Sequence, residues 1–208
     1  MKEILLGMDP GQYGYITAWD GEEFKFYSMP THKVDTGKFL KSGKPQMKDE
    51  FHISGLVNLV FKIREDFPSG ENHLKVAIEE VGGRGGNGAV QTFNFGFVTG
   101  AQRMVFEMLR AEIIMVRPQK WQSVVRRGYN KKMIPSSTGK TMVVDAKSMA
   151  EHIATTEYPN IDFRKTERAR KNHDGKIDSF LICLYLMRTR NPISNVEENI
   201  RLGQSTII

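Results

Sequence analysis

Cysteine is nearly missing from this chain: Cys183 stands alone among 208 residues. A single cysteine cannot pair within the chain, which excludes a disulfide scaffold and leads one to expect a reducing, cytoplasmic setting. Long apolar runs are missing too. None approaches the roughly 18 to 20 residues of a membrane span, and the short run from Met1 to Leu6 meets Asp9 and Pro10 too soon for a secretion signal, so no membrane partner is expected. Acidic excess is absent as well, since 30 Lys+Arg face 24 Asp+Glu for a formal charge of +6. That surplus suits a polyanionic partner without identifying one. A chain of this length holds one elaborated domain with a real core, here assigned to residues 1–190, followed by a loose tail over 191–208.

The distribution of charge says more than its total. Between Arg117 and Lys147 lie eight basic residues, Arg117, Lys120, Arg126, Arg127, Lys131, Lys132, Lys140 and Lys147, against the single acid Asp145. The rest of the chain is close to neutral. Such a block is either a solvated face or a surface that follows phosphates. A second basic stretch, Arg164, Lys165, Arg168, Arg170, Lys171 and Lys176, runs into the acidic positions Asp174 and Asp178.

Hydrophobic patterning predicts three opening strands over Lys2–Met8, Tyr13–Trp19 and Glu22–Met29, the last two joined by the hairpin signal Asp20-Gly21. Residues 30–48 are polar and Lys-rich and read as a mobile loop. A helix over 49–66 follows, then a strand over Leu74–Val81, the glycine-dense segment Gly82–Gly88, a long helix over Ala89–Arg110 and a strand over Glu112–Val116. Pro118 opens a further helix, residues 126–141 form a basic insertion without a clear period, and helices over 143–157 and 173–190 close the domain. A meander followed by helical crossovers gives an α/β fold: a mixed five-stranded sheet of three antiparallel and two parallel strands, with helices on both faces.

With the Leu74 strand parallel to the first, Asp9 and Glu79 emerge at one edge, where open α/β sheets bind ligands. Asp174 and Asp178, four apart, share one face of the closing helix. Each acid alone has an ordinary explanation as a turn, cap or first-turn residue. Together they make a carboxylate set. Repelling carboxylates need a cation, and a set without a His/Cys ligand motif suits Mg2+ or Mn2+ over Zn2+. Two such ions roughly 4 Å apart stabilise the attacking and leaving oxygens of a phosphodiester.

The segments Gly7-Met8-Asp9-Pro10-Gly11, Val76–Val81, Phe95-Gly96 with Gly100, Val116–Trp121, the Lys147-Ser148 helix and His173-Asp174-Gly175-Lys176-Ile177-Asp178 resemble RuvC-type Holliday-junction resolvases, most closely the phage and plant-organelle branch. The resemblance spans residues 3–188. It implies an RNase H-like fold, a homodimer, and Mg2+-dependent symmetric nicking of four-way DNA junctions, with Asp9, Glu79, Asp174 and Asp178 as metal-binding catalytic acids. Many such proteins space the last two acids three apart, whereas here Gly175 stands at that position. Expected DNA contacts are Arg84 in the glycine segment and Lys120, Arg126, Arg127, Lys131, Lys132, Lys140, Lys147, Lys171 and Lys176. The helix over 89–110 carries enough apolar positions to face both the sheet and a second subunit.

Two other classes share part of the pattern. A sugar-kinase or actin-like ATPase begins with a similar Asp-x-Gly strand, but the chain lacks room for a second domain, and the basic 117–147 segment has no task there. A branched-DNA-binding protein without catalysis fits the charge, but not the intact acids. Ser137-Thr138-Gly139-Lys140-Thr141 resembles the end of a P-loop, yet Ile134 stands where the first glycine is required.

Overall fold

A computed structural model describes residues 3–67, 73–80, 88–136 and 138–190. Strands β1 (Glu3–Met8), β2 (Tyr15–Trp19) and β3 (Phe24–Ser28) form the expected meander. Next comes a separate antiparallel pair, β4 (Thr31–Phe39) and β5 (Pro45–Phe51), and then helix α1 (Ile53–Asp66). Strand β6 (His73–Glu79), helix α2 (Ala89–Met108), strand β7 (Glu112–Val116) and helix α3 (Pro118–Val125) continue the chain. A short pair, β8 (Met133–Pro135) and β9 (Met142–Val144), precedes α4 (Ala146–Glu157) and α5 (Asp174–Arg190). The main sheet has the order β3-β2-β1-β6-β7, with β6 parallel to both neighbours. This is the mixed sheet expected of an RNase H-like domain.

Two stretches differ from expectation. Residues 30–48 are not a loop: Lys33 pairs with Asp49 and Val34 with Lys48 across a hairpin that takes up residues 49–51 and delays α1 to Ile53. Its side chains are largely exposed, so no buried face left an apolar alternation to read. The insertion 126–141 likewise holds β8, which pairs with β9 just beyond it, and the next helix begins after Asp145 rather than at 143, the Asp145 carboxylate accepting the Ser148 amide. The 191–208 tail lies outside the described residues, as does the Gly82–Asn87 part of the glycine segment.

The strand period of two divides the core. Ile4, Leu6 and Met8 of β1, with Leu74, Val76 and Ile78 of β6, pack against α1 and α2 through Leu56, Val60, Ile63, Val105 and Phe106. Leu5 and Ala77 face the opposite way, into a second cluster built by Trp121 and Val125 of α3, Ala150 and Ile153 of α4, and α5. Phe180 to Leu186 of α5 are all buried, so this helix is enclosed rather than amphipathic. Its approach to β1 depends on Gly7, where a Cβ atom would stand 2.2 Å from both the Cys183 nitrogen and the Ser179 oxygen. Beside it, Thr17 Oγ1 and Ser179 Oγ share a buried hydrogen bond of 2.8 Å. The far end of α5 is held by Arg188, which reaches Glu157 at 2.7 Å and the Val125 carbonyl at 2.9 Å.

Candidate active site

Parallel register aligns Met8 with Ile78, so the next residues, Asp9 and Glu79, leave neighbouring strands at one edge. Both continue the odd-numbered face of Leu5 and Ala77, which turns their side chains toward α5. Asp9 sits on a tight turn, its amide donating to the Tyr15 carbonyl at 3.1 Å. Its Oδ2 lies where a Cβ on Gly175 would come within 2.7 Å, so any larger residue at 175 presses on Asp9. The glycine that departs from the common spacing therefore makes room for the first acid.

Asp174 opens α5 and Asp178 follows one turn later. The Asp178 carboxyl is pushed up to about 7, first by burial, then by the negative charge of Glu79 and Asp174. Lys147 and Arg126 oppose that rise. Glu79, Asp174 and Asp178 thus share one field, and Gly175 ties Asp9 to it. Lys147 donates to Asp174, which holds its ammonium pKa above the ordinary value. Arg126 feels Asp178 from the end of α3.

Two side chains that support the site, Trp121 and Gln102, escape the sequence reading, whereas His173 is expected from it as a helper or a capping neighbour. Trp121 Nε1 donates to Glu79 Oε1 at 3.2 Å, fixing that carboxylate from α3. Gln102, fully buried on α2, donates to the Gly11 carbonyl beside Asp9 at 3.4 Å. His173 caps α5 with its carbonyl, which accepts from Lys176 and Ile177, while its ring packs 4.8 Å from Tyr15. Its Nδ1 is buried without a hydrogen-bond partner, and burial chiefly, then Lys165, lowers its pKa, so the ring is neutral near pH 7. Trp121 lies within the Val116–Trp121 segment that carries the resemblance, and Gln102 has no local signal.

The expected DNA contacts separate by surroundings. Lys120, Arg127, Lys131, Lys132, Lys140, Lys147 and Lys171 are exposed. Lys176 is engaged elsewhere: its ammonium donates to the Asp162 and Arg164 carbonyls and lies 4.6 Å over the Phe26 ring. Arg84 lies outside the described residues.

Among the described residues, one group of three ligand-type side chains brings its atoms within 4.8 Å of one another: Glu3, His73 and Glu112, at the opposite end of the sheet. Arg190 at 3.1 Å from Glu3 and Lys75 at 2.7 Å from Glu112 already act as counter-ions there. The four acids at the Asp9 end are spaced more widely. As a donor set of carboxylates, one of them held half-protonated near neutral pH, they fit a hard divalent cation.

No protein-family model matches the chain, and no curated protein matches it. Three solved structures are similar to most of the chain. Thermus thermophilus RuvC bound to a Holliday-junction substrate is 10% identical with a TM-score of 0.45, over 90% of this chain and 96% of that one. RuvC from the same organism in a second structure is 12% identical with a TM-score of 0.46, over the same shares. The yeast mitochondrial Holliday-junction resolvase is 14% identical with a TM-score of 0.43, over 88% of this chain and 77% of that one.

Proposed function

We propose that this protein is a structure-specific DNA endonuclease that resolves four-way junctions by divalent-metal-dependent phosphodiester hydrolysis. The observation that carries the reading is the meeting of Asp9, Glu79, Asp174 and Asp178 at the ends of β1, β6 and α5, where the Asp178 carboxyl is pushed up to about 7. A buried carboxyl whose ionisation is suppressed by neighbouring carboxylates marks a site that gains from a hard cation. Asp9, Glu79, Asp174 and Asp178 would hold Mg2+ or Mn2+, in a pair of ions. When bound, such ions supply charge stabilisation for the attacking and leaving oxygens.

The chain's own groups prepare that chemistry. Trp121 fixes the Glu79 carboxylate, Lys147 offsets Asp174, and Arg126 offsets the charge of Asp178. Neutral His173 offers a proton-accepting nitrogen near Asp9. Lys120, Arg127, Lys131, Lys132, Lys140 and Lys171, and Arg84 outside the described residues, supply affinity through phosphates and carry no base information.

Paired cuts on a two-fold junction need paired sites, hence a homodimer. Support comes from α2, where Val90, Phe93, Phe97, Met104 and Met108 leave 72, 71, 56, 52 and 75% of their surfaces exposed. Their spacing keeps them along one side of the helix, beyond what a lone surface helix exposes.

The decisive assay offers a synthetic four-way junction beside matched flap, Y and duplex substrates in Mg2+. Junction nicking by the unaltered chain is expected, with EDTA abolishing it while leaving binding largely intact. Asp9→Asn should still bind the junction and lose cleavage at least a hundredfold. Full cleavage by that variant would refute the site, and cutting of no branched substrate would refute the function.

A further inference from the structure

Beyond Phe51 at its root, the β4–β5 hairpin contributes no residue to the buried core and none to the carboxylate set. Ser28 pairs with Tyr15, and Ile16 with Met8, so β3 ends at the same sheet edge as β1 and the hairpin springs from there. Its root is tied down: Gln12, three residues past Asp9, donates to the Asp49 carbonyl, and the His52 amide donates to Pro30 at 2.9 Å. Phe51 at that root belongs to the α1/α2 side of the core. The basic 117–147 segment packs through Trp121 and Val125 on the other side. The two basic features therefore leave opposite faces of the sheet around one carboxylate edge.

Along the shaft, charge is internally balanced, with Lys33 at 2.9 Å from Asp49 and Lys48 at 2.6 Å from Glu50. Toward the tip that changes. Lys38, Lys41 and Lys44 are exposed and make no ion pair among the described residues, and between them Phe39 and Leu40 stand 72 and 49% exposed. The tip is nevertheless built: Leu40 donates to the Lys44 carbonyl at 2.8 Å, Gly43 donates to Leu40 at 2.9 Å, and Gly43 adopts φ +78. Below it, Thr36 Oγ1 donates across the hairpin to the Gln46 carbonyl at 2.8 Å, and the Gly37 amide donates to Asp35 Oδ1 at 2.9 Å. Lysines on open strands guard against edge-to-edge pairing, but that account leaves an apolar tip in water unexplained. A two-stranded pair gains too little by itself to hold such a tip out.

We propose that this hairpin is a DNA-holding arm: Lys38, Lys41 and Lys44 contact phosphates, and the Phe39–Leu40 tip presses on bases unstacked at a branch. The inference rests on the nuclease reading and states how that site's substrate is held. From Thr31 to Phe39 the arm reaches about 25 Å, roughly twice the width of a major groove. DNA lying over the carboxylates is then flanked on both sides. A second copy of the chain fits less well, because the three unpaired ammoniums around the tip would meet their own kind.

The test measures binding of the full chain to a four-way junction and to a linear duplex, without divalent metal, across a range of salt. The Lys38→Ser/Lys41→Ser/Lys44→Ser protein should lose roughly tenfold or more in affinity for both DNAs, with the salt slope reduced by about 2 to 3. The Phe39→Ser/Leu40→Ser protein should keep the slope and lose roughly tenfold of its preference for the junction. Both alter exposed side chains, so thermal unfolding should be unchanged. If the unaltered chain binds neither DNA, the nuclease reading falls and the arm with it. If it binds and cuts while both variants match it, the arm alone is overturned. Unchanged DNA binding with loss of a dimer in the Phe39→Ser/Leu40→Ser protein assigns the tip to a second copy, which also overturns it.

Discussion

Asp178 shows how one residue couples stability to the site's chemistry. Burial first, then Glu79 and Asp174, lifts its carboxyl from 3.8 to about 7, so the folded chain holds a proton that the unfolded chain releases. Stability of the metal-free protein is therefore greatest below about pH 4 on this account and declines as pH rises toward 7. Asp178→Asn should remove that decline and stabilise the metal-free chain at neutral pH by up to about 4 kcal/mol, while abolishing cleavage. Urea unfolding in EDTA at several pH values checks this. A variant less stable than the parent at pH 7 would contradict the assignment. Mg2+ should restore stability at neutral pH in the parent and not in the variant, because binding only to the folded state raises its stability.

At the level of elements, the contact between β1 and α5 is the tightest demand on the fold. Gly7→Ala places a methyl group against the backbone of Ser179 and Cys183, which flexible side chains cannot relieve. A loss near the upper end of the ~1 to 3 kcal/mol known for overpacking is expected, read as a lower urea midpoint. An unchanged midpoint would mean that α5 sits farther from the sheet. How much of this was legible varies by element. The main-sheet strands are readable as short apolar runs bounded by turn signals, β1 and β2 being buried on both faces, and Asp9 and Glu79 are readable as acids at strand ends. The β4–β5 pair was not, because exposed strands rich in lysine and glycine carry no burial pattern. The supporting contacts were hidden for another reason: Gln102 reaches Gly11 and Trp121 reaches Glu79 only after crossovers bring distant segments together.

For the whole molecule, the exposed stripe on α2 predicts assembly. Phe93→Glu/Phe97→Glu should turn a sedimenting dimer into a monomer that nicks one strand of a junction without the paired second cut; a parent that sediments as a monomer would remove that expectation. The placement of the acids has a consequence for the order in which the protein becomes active. Asp9 and Glu79 belong to the ends of β1 and β6, whereas Asp174 and Asp178 ride on α5, which follows every other described element in the chain. The carboxylate set is therefore incomplete until α5 docks on the sheet, so formation of the site is coupled to closure of the core over β1. Under the proposed function, the docking of one buried helix is therefore the step that arms the nuclease.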